Sequence, residues 1–177
     1  MPNIEIKAFY KDLGKARRIA EKLGARYQGQ DRQVDTYFKV PAGRFKMRES
    51  RRKGAELIPY RRPNSRGPKT SDYVLIPLPD PGKTKGILAS LLGVDAVVKK
   101  QRELFLLGNV RIHLDRVQGL GEFLEFEAVF KKDTPRIREK EKAKVEKLIR
   151  AFEIPPEDLL KFSYRELVKR QGPPAPR

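Results

Sequence analysis

Four carboxylates and six cations stand at spacings that suit metal-assisted chemistry on phosphates. Glu5 precedes Lys7 by two residues, Glu125 and Glu127 are two apart, and Asp115 follows Arg111 on the same parity. Lys46 and Arg48, then Lys100 and Arg102, repeat the two-residue step. Such chemistry needs carboxylate oxygens to bridge a divalent ion to phosphate oxygens, and Lys or Arg to neutralise the remaining phosphate charge. Arginine brings a bidentate fork and lysine a point charge. The same residues also suit plain cross-strand ion pairs, so spacing alone leaves both readings open. His113 shares a face with Arg111 and Asp115. It is a candidate general base or phosphate contact, although a lone histidine is as readily structural.

Other chemistries are missing their residues. There is no Gly-rich phosphate loop of the Walker type and no dinucleotide fingerprint. No Ser, Cys or His nucleophile arrangement is visible, so the nucleophile would be water or a hydroxyl of the substrate. The chain has no cysteine and one histidine, which excludes disulfides, thiolate metal sites and His-rich metal sites. A metal would be held by carboxylate oxygens, which favours Mg²⁺ or Mn²⁺.

A two-residue step is the period of a β-strand, whose side chains alternate faces. Asn3-Ile4-Glu5-Ile6-Lys7 puts an ionic stripe on one face and an apolar stripe on the other. Phe45-Lys46-Met47-Arg48, Arg111-Ile112-His113-Leu114-Asp115 and Leu124-Glu125-Phe126-Glu127 do the same. One wet sheet face would produce such a pattern. Ionic stripes of both signs on many strands suggest instead a sheet closed around a charged interior.

The pattern predicts strands near residues 3–10, 33–40, 44–50, 55–62, 73–78, 96–107, 110–117 and 122–130. Residues 63–71, with Arg66 and Lys69, read as a loop. Helices are expected over 12–23, 83–92, 134–152 and a short last stretch opened by the capping box Ser163-Tyr164-Arg165-Glu166. The fold class is α+β: a single-domain, eight-stranded antiparallel β-barrel with helices outside.

The chain has 177 residues, enough for one domain with a sizeable core. It carries 36% charged residues and a net charge of +17, so an anionic partner is expected: a nucleotide, polyphosphate, nucleic acid or anionic membrane surface. No apolar run approaches ~18 residues, and no signal peptide is visible, so a soluble cytoplasmic protein is expected.

Taken together these residues resemble the CYTH family, the triphosphate tunnel metalloenzymes. That family opens on Glu-x-Glu-x-Lys, and here Asn3-Ile4-Glu5-Ile6-Lys7 stands in its place. Lys100-Gln101-Arg102-Glu103-Leu104-Phe105 is similar to its Lys-x-Arg strand. The segment from Arg111 through Asp115 to Gly119-Leu120-Gly121-Glu122-Phe123-Leu124-Glu125 looks most like the class IV adenylyl cyclase branch, as does Ser163-Tyr164-Arg165-Glu166-Leu167.

The resemblance implies a tunnel domain over residues 1–171, ahead of a disordered tail at 172–177. It implies that Glu5, Glu125 and Glu127 hold Mg²⁺ or Mn²⁺. Lys7, Lys46, Arg48, Lys100, Arg102 and Arg111 would contact phosphates, with Glu5, Lys7, Arg111 and Asp115 as the catalytic set. Asp115 would lie near the metal or orient a cation. Lys69 joins the substrate contacts; the resemblance supplies no role for His113, which is taken as a substrate contact from the face it shares with Arg111 and Asp115. Arg61 and Arg62 are adjacent, so only one faces inward; Arg62 is taken as the candidate.

The reaction implied first is ATP to cyclic AMP and pyrophosphate. Hydrolysis of a nucleoside, thiamine or inorganic triphosphate is the alternative, and a non-catalytic polyphosphate or RNA binder a further one. The partner is a nucleoside triphosphate or inorganic polyphosphate, with weak nucleic-acid binding, in a monomer or homodimer. Asn3 departs from the family pattern. An amide oxygen is a neutral, weaker metal ligand than a carboxylate, so weaker metal binding or loss of a second ion is expected.

Overall fold

The computed structural model describes residues 2–62 and 67–171. Nine strands and four α-helices follow the order β1 (Asn3–Phe9), α1 (Leu13–Lys22), β2 (Arg26–Phe38), β3 (Arg44–Ser50), β4 (Gly54–Arg61), β5 (Lys69–Tyr73), β6 (Ile76–Leu78), α2 (Pro81–Leu92), β7 (Val94–Leu107), β8 (Val110–Val117), β9 (Gly121–Val129), α3 (Pro135–Ala151) and α4 (Tyr164–Gln171). Arg66 and the expected tail lie outside the described residues.

Every pairing is antiparallel. The sheet runs β3-β2-β7-β8-β9-β1-β5-β4, and β3 pairs with β4 to close an eight-stranded barrel; β6 pairs with Ala55–Leu57 of β4, on the edge that β5 meets at Tyr60 and Arg61. Closure satisfies the edge groups that an open sheet would expose.

The two stripes of each strand take opposite sides of the barrel wall. The apolar stripe faces out, and helices cover it. Ile4, Ile6, Ile112, Leu114, Leu124 and Phe126 pack against Leu13, Ala16 and Ala20 of α1 and Val145, Leu148 and Phe152 beside α3. α2 lays Leu88 and Leu92 on Phe38 and Met47. The ionic stripe faces in. Burying it on both sides answers the single-wet-face alternative: Lys7 is 5% exposed and Lys100 6%.

Helix starts follow their caps. The side chains of Asp12, Asp80 and Thr134 accept from backbone N–H groups of Lys15, Lys83 and Ile137. Ser163 and Glu166 form the expected capping box, with Ser163 N donating to Glu166 Oε2 at 2.7 Å.

Two strand assignments needed correction. β2 begins at Arg26 rather than Gln33, because its first half is polar on both faces and hides its period. It carries a register shift at Gly29, whose φ of 98° a side chain would resist. The expected strand at 73–78 is two strands, and Lys69 lies in β5 rather than in a loop. β5 pairs with β1 through Asn3↔Ser71 and Glu5↔Lys69. Ser71 and Tyr73 line the cavity and Lys69 shares their parity, so no apolar stripe marks it. α2 begins at Pro81, two residues earlier than expected.

Candidate active site

The barrel encloses a cavity of about 580 Å³. Its wall mixes cations and carboxylates that neighbouring strands hold in register. Glu127 stands across from Glu5 on β1 and Arg111 on β8; Glu125 stands across from Lys7 on β1 and His113 on β8. Most of these pairs are in contact, and each is held in low dielectric where charge pairing is strong.

Glu125 accepts from Lys7 and sits 3.2 Å from His113 Nδ1 and 3.5 Å from Arg102. Burial would raise its pKa, but Lys7 and Arg102 outweigh that and hold it well below the usual carboxylate range. Burial, then Arg102, pushes the His113 pKa down, which keeps its imidazole neutral. Asp115 is fully buried and clamped by Arg102 through two hydrogen bonds of 2.6 Å. Its partners are the Arg102 guanidinium and the Tyr164 hydroxyl.

On the opposite wall Lys46, Arg48 and Lys100 converge on one buried carboxylate, Asp35, at 2.9, 2.7 and 3.1 Å. Burial would raise the Asp35 pKa; Arg48, Lys100 and Lys46 reverse this and hold it well down. Burial and Arg48 lower the Lys46 pKa to about 8, and burial pushes Lys100 well below the usual lysine range. Arg62, not Arg61, faces the cavity, and its Nη1 donates to Glu5 Oε1 at 2.8 Å. Lys69 opposes Glu5 across the sheet, donates to the Leu160 carbonyl, and has its pKa lowered to about 8 by burial and Arg62.

One end of the tunnel is closed by the N-terminus of α4. The Tyr164 ring lies 3.7 Å beneath Lys7 Nζ, and its hydroxyl donates to Asp115 Oδ2 at 2.7 Å. Arg44 and Glu166 (2.9 Å), with Arg165 and Lys169 on Asp95, fasten α4 to the barrel. At the other end Arg52, Lys53 and Leu75, all exposed, rim the cavity.

The structure therefore places Glu5, Lys7, Lys46, Arg48, Arg62, Lys100, Arg102, Arg111, His113, Glu125 and Glu127 on one cavity wall. Asp115 and Lys69 sit behind it. Asp35 and Tyr164 were missed as site residues. Asp35 shares the parity of Gln33 and Tyr37, so its inward aim was available; what sequence lacked was the three-cation cluster around it.

Among the described residues no three acidic or histidine side chains converge as a metal cage. That suits Mg²⁺ or Mn²⁺, which bind through one or two carboxylates and complete their shell with water and substrate phosphate. Glu5 and Glu127, paired in register and both lining the cavity, fit that donor set. Asn3 does not add to it. Its Oδ1 accepts from Ser71 N at 3.2 Å, and its Nδ2 donates to Glu127 Oε1 at 2.6 Å.

The profile of the CYTH domain family matches residues 1–161. A Methanocaldococcus jannaschii protein named as a candidate adenylate cyclase is 28% identical, over 94% of this chain and 98% of its own. Among solved structures, PH1012 from Pyrococcus horikoshii OT3 superposes with a TM-score of 0.80 at 25% identity, covering 94% and 99% of the two chains. A Hippeastrum candidate adenylyl cyclase, described as having a dominant triphosphatase activity, gives 0.61 at 16% identity over 98% of each chain; that likeness is one of fold. No described helix is long and apolar enough to cross a membrane. The chain belongs to the CYTH family.

Proposed function

From that membership we propose that the chain is a divalent-metal-dependent enzyme acting on a triphosphate inside the barrel, and that its reaction is cyclisation of ATP to cyclic AMP and pyrophosphate. The observation that carries the reading is the sorting of charge on the wall. Lys46, Arg48 and Lys100, on the two strands flanking β2, gather on one wall, and the Glu5–Glu127 pair stands across the cavity. Seven inward Lys and Arg side chains would neutralise a chain of phosphates, and burial makes each contact stronger than it would be in water.

Glu5 and Glu127, with Glu125 beside them, would hold Mg²⁺ or Mn²⁺, which would polarise phosphate oxygens and offset charge on the departing pyrophosphate. Lys46, Arg48, Lys100 and Arg102 would bind the β- and γ-phosphates and steady the leaving group. Lys7 and Arg111 would orient the α-phosphate. The substrate 3′-hydroxyl oxygen would bond to the α-phosphorus as the bond from that phosphorus to the bridging oxygen breaks. His113, kept neutral and with Nδ1–H turned to Glu125, has Nε2 available to take the hydroxyl proton. Asp115 works through Arg102 as a positioning residue.

Hydrolysis is the second reading, favoured by the triphosphatase activity described for the Hippeastrum relative. Water would replace the 3′-hydroxyl, and cleavage would release orthophosphate. The deciding experiment incubates the protein with ATP and, separately, tripolyphosphate, each with Mg²⁺, Mn²⁺ or EDTA, and identifies products by chromatography and ³¹P NMR. Metal-dependent cyclic AMP with pyrophosphate is the expected result. Metal-dependent orthophosphate moves the assignment to triphosphatase. No product under any condition overturns the enzyme reading in favour of a polyanion-binding protein.

A further inference from the structure

α2 carries apolar side chains on both of its faces. Leu88, Ala89 and Leu92 pack with Phe38 and Met47 of the barrel wall. Ile87 and Leu91, one turn apart, are turned away from that contact and are 50% and 75% exposed. The other exposed positions of α2 are Gly82, Lys83, Gly86 and Ser90, so little but Lys83 shields them. α3 differs, since its exposed face is mostly charged. The apolar surface continues past the helix. Val94 on β7 is in register with Phe38, which α2 covers, and Val97 with Thr36, whose neighbour on β3 is Met47. Both valines are exposed beside the end of α2.

Three lysines border this patch. Lys83 stands one turn before Ile87, Lys99 follows Val97 by two residues on the same strand face, and the Lys39 side chain runs beside Gly93. The nearby carboxylates are committed elsewhere: Asp80 caps α2, Glu49 pairs with Lys85, and Asp95 pairs with Arg165 and Lys169. Among the described residues no ion pair engages Lys39, Lys83 or Lys99.

An apolar patch bordered by unpaired cations limits the choice of partner. A nucleic-acid backbone would take the lysines and leave Ile87 and Leu91 against water. A second copy would set lysines against lysines, and the patch falls far short of the roughly 20–30 residues a stable interface takes from each side. The surface of an anionic bilayer uses both features. Apolar side chains sink below the headgroups, and the lysines stay among the lipid phosphates. We propose that α2, with Val94 and Val97, is a docking surface for an anionic membrane. Ile87 and Leu91 enter the acyl boundary, and Lys39, Lys83 and Lys99 meet the headgroups. The surface lies outside the barrel wall, so this binding is separate from whatever the tunnel holds.

The test is co-sedimentation with unilamellar vesicles of phosphatidylcholine alone, and of phosphatidylcholine mixed equally with phosphatidylglycerol. It compares the wild-type chain with Ile87→Ser/Leu91→Ser and Lys83→Ala/Lys99→Ala. Arg136→Ala/Lys140→Ala on α3 is the charge-matched reference. Every substituted position is exposed, so the variants keep the fold. Wild type is expected to partition onto the mixed vesicles about tenfold or more above phosphatidylcholine alone. The serine pair and the α2–β7 lysine pair should each lower that partitioning about tenfold. The α3 pair, beyond a Debye length from the patch, should leave it within about twofold. Wild type remaining in the supernatant overturns the proposal. So does a serine pair that partitions as wild type does, or an α3 pair that weakens binding as much as the lysine pair; the net charge of +17 would then account for the attraction. A wild-type dimer in sedimentation without vesicles, lost in Ile87→Ser/Leu91→Ser, overturns it in favour of a second copy on the patch.

Discussion

Asn3 donates from Nδ2 to Glu127 Oε1 at 2.6 Å, while its own carbonyl oxygen accepts from the backbone of Ser71. The amide thus ties β9 to β5 through β1, and it gives Glu127 a neutral donor where a carboxylate would bring repulsion. Replacing Asn3 by Leu strands a buried backbone N–H and one carboxylate contact. It should cost about 2 kcal/mol or more of stability, read by urea unfolding. Asn3→Asp turns the donor into a second anion beside Glu127. Its melting temperature should fall in EDTA and recover on adding Mn²⁺ by more than wild type gains, a shift that scanning fluorimetry would detect.

Asp35 fixes three cations at once, so its loss should act on binding as well as on folding. Asp35→Asn leaves Lys46, Arg48 and Lys100 facing one another without their shared anion. Breaking a buried ion cluster by removing one partner costs roughly 3 kcal/mol or more. An added polyanion supplies the missing charge, so tripolyphosphate should raise the variant's melting temperature by more degrees than it raises wild type's. An equal increment in both would mean that the three cations do not contact the anion.

Stability and phosphate binding should respond to pH in opposite directions. Lys46 and Lys69 both titrate near 8 in the folded chain, below their ordinary value of 10.5. Between these values the unfolded chain keeps protons that the folded chain has released, so the two lysines' contribution to stability rises as pH increases from about 8. Binding of tripolyphosphate needs the charged forms, so its affinity should fall across the same interval. Titrations at pH 7, 8 and 9, with melting temperatures at each, would test both signs. Lys46→Arg should hold its affinity to higher pH.

How much of this could be read beforehand depended on apolar contrast. β1, β3, β8 and β9 alternate cleanly, and their ionic faces were found because isoleucine, leucine and phenylalanine marked the other side. β5 and the start of β2 have polar residues on both faces and gave no such contrast. Parity could not separate Arg61 from Arg62, since that depends on where the strand ends; the ion pair with Glu5 decides it. Tyr164 was visible only as part of a capping box. Nothing local in a helix start says that it will lie over a barrel end, because that contact joins residues 49 positions apart.

Tyr164 carries two separable functions, and two substitutions should divide them. Tyr164→Phe keeps the ring beneath Lys7 and removes only the hydrogen bond to Asp115. Arg102 still satisfies that carboxylate from the other side, so the cost should be about 1 kcal/mol, with triphosphate affinity near wild type. Tyr164→Ala also removes the ring, opens the closed end and takes away the cation–π contact with Lys7. Water then reaches the innermost cations, whose contacts with phosphate weaken as the local dielectric rises. Affinity for ATP should therefore fall at least about tenfold more in the Ala than in the Phe variant, which corresponds to about 1.4 kcal/mol. Equal losses in the two would assign the effect to the hydroxyl, and α4 would then serve to orient Asp115 rather than to seal the tunnel.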